Sequence, residues 1–252
     1  MKKIRFLSLI LTVSILFSLC VSSAGAFDSE IVSSKTVQAK AAILVDMDTD
    51  YVMYDLNAHE KMYPASITKV MTAALTLDAV SEGKLSLDEI ITAGPTAWQG
   101  LDTSSSNQNI QVGEQMNVKD LLYCLMVASA NEAANILAVA VAGSIDNFVA
   151  MMNAKAAQLG CTGTHFVNPD GMPDNDHYTT AYDLYLIGKY AMQNETFRTI
   201  VKTPEYYVEP TNMNGNRRHF FNTNGLLSNK KYAGYYYENC IGIKTGSTDS
   251  AG

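Results

Sequence analysis

The sequence predicts an α+β fold, and three observations carry that reading. Two short apolar runs, Ala41–Asp46 and Tyr51–Leu56, flank the turn-forming segment Asp46-Met-Asp-Thr-Asp50 and read as a β-hairpin. The stretch from about residue 81 to 192 is mostly helical in its apolar spacing. Beyond it, Tyr206–Glu209 and the alternating Ile241-Gly-Ile-Lys-Thr245 read as strands. With 252 residues, 47% of them hydrophobic and 17% charged, the chain suits one globular domain that buries a sizeable core.

Residues 1–26 stand apart. Lys2, Lys3 and Arg5 precede an apolar run from Phe6 to Val21, and Ala24-Gly-Ala26 is a small-x-small cleavage site. The expectation is an export signal, with a mature domain over 27–252. The run is short for a membrane span, and Leu19 before Cys20 does not suit a lipoprotein signal. Formal net charge is −7, and it grows more acidic once the three basic residues of the leader are removed. That balance argues against nucleic acid as a partner and shows no basic tail for anionic lipid. Cys124, Cys161 and Cys240 remain after the leader. Three thiols form no disulfide framework, and their spacing suits neither zinc nor a redox pair. Cys124 reads as a core residue, and a Cys161–Cys240 bridge is left open.

Along the domain, Pro64 opens a helix whose apolar positions Ile67, Val70, Met71, Ala74 and Leu77 run to about Val80. Ile91–Gln111, rich in Ser, Thr, Asn and Gln, reads as a long surface loop, with Trp98 as a lid on the core. Asn117, with Asp120 three residues on, caps an apolar helix through Ala128. A break at Ser129-Ala-Asn131 follows, then a helix from Glu132 to Ala142 that stops at Gly143. Another runs from the Ser144 cap to Gly160. Asn168-Pro-Asp-Gly171 is a turn, and Thr180-Ala-Tyr-Asp183 is a capping box for a helix to about Met192.

Chemistry concentrates at Ser66 and Lys69. At i and i+3 on one helix start they share a face, so a lysine of depressed pKa can take the serine proton. The helix N-terminus offers free N–H groups to an oxyanion. Ser-x-x-Lys alone is weak, since it recurs at Ser81–Lys84 and Ser228–Lys231. It gains weight from order. Ser66-x-x-Lys69, then Ser129-x-Asn131 between two helices, then Lys244-Thr245-Gly246 on a strand resemble the ordered set of penicillin-binding proteins and class A β-lactamases, in which an Asp stands at the middle position of the second motif, here Ala130.

The longer segments Pro64-Ala-Ser-Ile-Thr-Lys69, Asn168-Pro-Asp-Gly171, His177-Tyr-Thr-Thr-Ala-Tyr-Asp-Leu184 and Ile241-Gly-Ile-Lys-Thr-Gly246 resemble the serine D-alanyl-D-alanine carboxypeptidases, the low-molecular-mass penicillin-binding proteins. The resemblance covers about Ala41 to Gly252. It implies the serine β-lactamase/penicillin-binding fold, an antiparallel sheet packed with helices plus a helical subdomain over about 81–192. It also implies roles. Ser66 would attack the carbonyl between two D-Ala residues, Lys69 would be its base under like-charge pressure from Lys244, and Ser129 would pass a proton to the leaving amine. Asn131 would hold the substrate amide, or simply cap the next helix. Lys244 and Thr245 would bind the terminal carboxylate, Gly246 would let backbone approach substrate, and the N–H groups of Ser66 and Ser247 would form the oxyanion hole.

No metal or organic cofactor is implied. His165, His177 and His219 read as surface or loop residues. The implied partners are the peptidoglycan stem peptide and β-lactam inhibitors, met outside the cytoplasmic membrane at the cell wall. The family pattern continues with two strands and a C-terminal helix, and many members add a membrane anchor. The sequence ends six residues after Gly246, so the expectation is a truncated chain with an incomplete sheet, and whether that chain folds and is active is left open. Two rivals stand beside this reading. A class A-like β-lactamase would need a glutamate for deacylation, for which only Glu132-Ala-Ala-Asn135 comes near. A non-catalytic penicillin-binding sensor would acylate and stay acylated.

Overall fold

The computed structural model describes residues 37–101 and 105–248, so the export signal expected over 1–26 lies outside the described residues. The chain divides into two units, one built on Leu44–Tyr54 and the other on Lys40–Ile43 and Asp55–Gly252. The hairpin pairs β1 (Ala42–Asp46) with β2 (Tyr51–Leu56), as expected. Its turn is held by Asp46, whose Oδ1 accepts from the N–H groups of Asp48 at 2.9 Å and Thr49 at 3.2 Å.

In the second unit, α1 (Lys69–Ser81) is the central element. It is buried along nearly its whole length, because residues such as Val70, Met71, Ala74, Leu75 and Leu77 leave it no polar face. A short 3-10 turn, Ala65–Thr68, precedes it. The sequence predicts one continuous helix from Pro64. Instead Ala65 takes a left-handed conformation (φ 48) and breaks the path, which places Ser66 on the tighter turn.

β3 (Ile90–Thr92) and β4 (Gln115–Asn117) pair antiparallel, with Ile91 opposite Met116. The loop between them runs over the surface, as expected from its composition, but turns apolar residues inward. Ala93, Ala97 and Ile110 are buried, and Trp98 donates from Nε1 to Ile110 O at 2.8 Å as it lies over the core. Asn117 then caps α2 (Val118–Met126), its side chain accepting from Asp120 N at 2.7 Å. α3 (Asn131–Ala142) ends at Gly143, and Ser144 caps α4 (Ile145–Gln158).

Thr180 caps α5 (Ala181–Ala191) by accepting from Asp183 N at 3.0 Å. The expected reciprocal half of that box is absent, because the Asp183 carboxylate accepts from Gly163 N and Thr164 Oγ1 instead. α6 (Glu195–Lys202) escaped the sequence reading. Its signal is there in hindsight, with Asn194 as cap and Phe197, Ile200 and Val201 at helical spacing. α1 packs against each of the five other helices among the described residues.

β5 (Glu205–Val208) and β6 (Arg218–Phe221) form a third antiparallel pair, registering Tyr206 against Phe220. The α+β class therefore holds, but the described strands form three separate two-stranded ladders rather than one sheet. Ile241–Thr245, expected as a strand, joins no ladder. A strand is defined by a partner, and no described strand hydrogen-bonds to this segment. The open disulfide question closes too, since Cys124, Cys161 and Cys240 are all free thiols. Cys124 is fully buried in the core as expected. No single helix among the described residues is long and apolar enough to cross a membrane.

Gly171 shows how tightly the loops pack on the turn before α1. Its φ is +91°, and a Cβ there would lie 1.9 Å from Ala65 O. Replacing Gly171 by Ala is expected to destabilise the chain by roughly 2–4 kcal/mol through strain and steric overlap. Chemical denaturation checks this, and a change below about 0.5 kcal/mol would show that the contact is soft.

Candidate active site

The site forms where three loops converge on the turn before α1. Lys69, the first residue of α1, is fully buried. Its Nζ lies 3.0 Å from Ser66 Oγ, 2.6 Å from Asn131 Oδ1 and 2.6 Å from the Asp170 carbonyl oxygen. Asn131 Oδ1 and Asp170 O are acceptors only, so each must receive an N–H. A neutral amine has two N–H groups to give, which leaves its lone pair for the Ser66 hydroxyl. The ammonium form would instead donate its third N–H to Ser66 Oγ. The arrangement thus suits both the proton-accepting and the proton-holding state of one lysine.

The surroundings shift Lys69 toward its neutral form. Burial brings the Lys69 pKa down from 10.5 to about 8, against the opposing pull of Asp170 and Glu132. The expected like-charge pressure of Lys244 on Lys69 is not the cause. It acts in the other direction, because Lys244 is held well below the usual lysine range by desolvation first, then by the charges of Lys69 and Lys231. Lys244 keeps part of its surface exposed, whereas Lys69 has none.

Each partner of Lys69 is placed by local sequence. The Asn168-Pro-Asp-Gly171 turn locks itself, with Asn168 Oδ1 accepting from Gly171 N at 2.7 Å and Asp170 Oδ1 from Met172 N at 2.7 Å. Thr72 Oγ1, one turn into α1, donates to Pro169 O at 2.6 Å. Two successive carbonyls of the turn are thereby fixed to α1. Asn131 is the first residue of α3, with Ala130 at the cap position, so the expected capping role falls away. Its amide turns to Lys69 instead. Ser129 is nearly buried and left-handed (φ 64), an outlier that ends α2 while Ala130 N reaches back to Cys124 O at 2.9 Å. Among the described residues Ser129 Oγ makes no hydrogen bond to Lys69 or Lys244, so its hydroxyl is uncommitted toward both.

The Lys244-Thr245-Gly246 segment reaches the same turn from the other side. A Cβ on Gly246 would lie 2.8 Å from Pro64 O and 3.0 Å from Ile67 Cγ1. The turn that carries Ser66 therefore requires a glycine here on packing grounds alone. Thr245 Oγ1 donates to Thr223 Oγ1 at 2.7 Å, and Lys244 Nζ donates to Thr245 O at 2.8 Å and Thr223 Oγ1 at 3.4 Å. Thr223 N donates to Val127 O at 3.2 Å, which links this segment to the end of α2. Ser247 is exposed beside Gly246, and neither its N–H nor that of Ser66 is taken by another described group. Sequence reading did not single out Thr223, and no motif marks it.

His177 lies in a loop, one of the two settings expected for it, but is 1% exposed rather than at the surface. Val167 N donates to its Nδ1 at 3.1 Å, which leaves the Nε2 proton to donate to Thr68 Oγ1 at 2.8 Å. The ring therefore ties the 166–172 loop to the residue before Lys69. His165 is only partly buried and His219 is exposed, as expected. Among the described residues no group of three His, Cys, Asp or Glu side chains gathers to hold a metal.

Solved structures share this architecture. The chain superposes on the Streptomyces K15 DD-transpeptidase with a TM-score of 0.76 at 32% identity, covering 86% of this chain and 82% of that one. Penicillin binding protein 5 from Haemophilus influenzae gives a TM-score of 0.74 at 30% identity, with 85% and 59% covered. The fold and the serine–lysine site place the chain among the penicillin-binding DD-peptidases. The D-alanyl-D-alanine carboxypeptidase family model matches residues 28–252, and the chain belongs to that family. It is 33% identical over 249 residues to the D-alanyl-D-alanine carboxypeptidase DacF of Bacillus subtilis, covering 98% of this chain and 60% of DacF.

Burial holds the His177 pKa down at about 4, against 6.5 when free. As pH falls, the unfolded chain takes up this proton near 6.5 and the folded chain only near 4, so stability is lost across that window and is intact above it. Denaturation midpoints measured from pH 7 to 4 are expected to fall less steeply in His177→Gln than in the wild type. Equal slopes would show that the ring is protonated in the fold.

Proposed function

We propose that the protein is a serine D-Ala-D-Ala carboxypeptidase that removes the terminal D-Ala of peptidoglycan stem peptides. The observation that carries this reading is the Lys69 amine, committed on two sides to acceptors and on the third to Ser66 Oγ. Ser66 attacks the carbonyl between the two D-Ala residues while Lys69 takes its proton, giving an acyl-enzyme and releasing D-Ala. Ser129 relays a proton to the leaving amine, its hydroxyl being free to turn. Lys244 and Thr245 receive the terminal carboxylate. The N–H groups of Ser66 and Ser247 receive the oxyanion. Asn131 holds Lys69 and, beside it, the substrate amide. Water then hydrolyses the ester.

The names of the relatives support the substrate class, although the chain spans only 60% of DacF. β-Lactams, which mimic the D-Ala-D-Ala amide, acylate Ser66 in this reading. The leader expected over 1–26 and a substrate in the cell wall support a site of action outside the cytoplasmic membrane. The relative named a DD-transpeptidase keeps a second reading in view, in which an amine rather than water takes the acyl group. The β-lactamase alternative has little to stand on, because Glu132 Oε1 is engaged by the backbone N–H groups of Gln108 and Ile110 and does not contact Ser66.

Intact-mass spectrometry with benzylpenicillin is expected to show one covalent adduct on the full chain and none on Ser66→Ala. Release of D-Ala from a diacetyl-Lys-D-Ala-D-Ala peptide is expected to fall by about 10³-fold or more in Lys69→Ala, the scale of losing a base and its hydrogen bonds. An adduct on Ser66→Ala, or a Lys69→Ala chain as active as the wild type, would overturn the assignment.

A further inference from the structure

The buried group that the mechanism above leaves unused is Glu132. It is 0% exposed, in the first turn of α3, directly after the Asn131 that holds Lys69. Its Oε1 accepts from Gln108 N at 2.6 Å and Ile110 N at 3.3 Å, while Oε2 has no hydrogen-bond partner among the described residues. The same loop is stitched to the same turn twice more. Asn131 N donates to Ser106 O at 2.9 Å, and Ser106 Oγ donates to Ala128 O at 3.4 Å. The 106–110 loop therefore backs the left-handed Ser129 turn, and Glu132 is the side chain that fastens it from inside.

A carboxylate is an expensive way to make this tether. Two backbone N–H groups could be satisfied by a neutral amide, and an oxygen left without a hydrogen bond in the interior is destabilising. What a carboxylate adds is charge. We propose that Glu132 is a positioning residue for the Ser66–Lys69 pair, tethering the 106–110 loop behind the Ser129–Asn131 turn and supplying a buried negative counter-charge to the Lys69 amine. The proposal rests on the reading of Ser66 and Lys69 as nucleophile and base.

The groups that face Lys69 are few. Asp170 comes from the 168–172 turn, Glu132 from α3, Lys244 from the C-terminal segment and neutral His177 from the loop beside Thr68. Glu132 in turn faces Lys69 from α1 and the Cys124 thiol from α2. Burial pushes the Glu132 carboxyl above its ordinary range, opposed by its backbone hydrogen bonds and by the Lys69 charge. When ionised, Glu132 favours the proton on Lys69, which a neutral neighbour would release sooner. Glu132 would then set the pH at which the base comes into play, and the two hydrogen bonds of its Oε1 would set where Asn131 and Ser129 stand.

The test separates charge from tether. The rate of benzylpenicillin acylation is followed by intact mass from pH 5 to 10 in the full-length wild type, E132Q and Q108P, with thermal melting to verify folding. E132Q keeps an acceptor for Gln108 and Ile110 but no charge, and its half-maximal pH is expected to fall on the order of one unit, with a plateau near the wild-type rate. Q108P removes the shorter tethering N–H and keeps the charge. Its plateau is expected to drop about 10-fold or more with the half-maximal pH unchanged. A folded E132Q with the wild-type midpoint overturns the counter-charge, and a Q108P acylated at the wild-type rate overturns the tether. A wild type that is never acylated overturns the serine–lysine reading itself, and with it this one.

Discussion

The structure depends on one buried amine. Lys69 Nζ has no exposure to solvent and gathers oxygens from three separate segments, the 3-10 turn, the start of α3 and the Asn168–Gly171 turn. An ammonium in that place is costly. With its pKa brought down to about 8, the folded chain binds this proton less readily than the unfolded chain between about 8 and 10.5, so stability rises with pH across that window. At neutral pH the fold carries the strain of a desolvated cation, and the hydrogen bonds around it offset part of that cost. A site that only needed stability would do better with an apolar side chain. One that needs a base able to shed its proton near neutrality needs this lysine.

The surrounding loops make sense as supports for that amine. The Asn168–Gly171 turn hands two carbonyls to α1, one to Thr72 and one to Lys69. His177 joins the adjacent loop to Thr68 as a neutral ring, because a backbone N–H fixes which nitrogen keeps the proton. Glycines stand where backbone must meet the Ser66 turn, Gly171 from one side and Gly246 from the other. The left-handed residues Ala65 and Ser129 lie on the two turns that carry the hydroxyls of the site, so local strain sits where the chemistry is. α1 carries this burden because every other described helix packs on it, and a rigid platform keeps the amine and hydroxyl in register.

Much of this was legible in the sequence. Caps at Asn117, Ser144 and Thr180 follow from short-range hydrogen bonding, and they fall where composition places them. The three motifs meet at one turn, as their order suggested. What was not legible depends on contacts distant in sequence. Thr223 matters only because Thr245 and Val127 fold onto it, and nothing near it in sequence says so. His177 looked like a loop residue because its neighbours are polar, whereas its burial comes from Phe166 and the Ser66 turn. Lys69 was expected to lose its proton to like-charge pressure, and burial does that instead, a quantity that local sequence does not contain. The strand expected at Ile241–Thr245 had the right alternation and no described partner, which shows that a strand belongs to a pair rather than to a segment.

The central claim is that Lys69 reaches its neutral form near physiological pH. It can be tested on the intact protein by titrating lysine ε-groups labelled with carbon-13 and following their NMR shifts, with Lys69→Arg to assign the resonance. The account predicts that the resonance lost in Lys69→Arg titrates near 8, more than two units below an ordinary lysine. A Lys69 that titrates near 10.5 would contradict it, because a lysine fully charged at neutral pH can hold Ser66 in place but cannot take its proton.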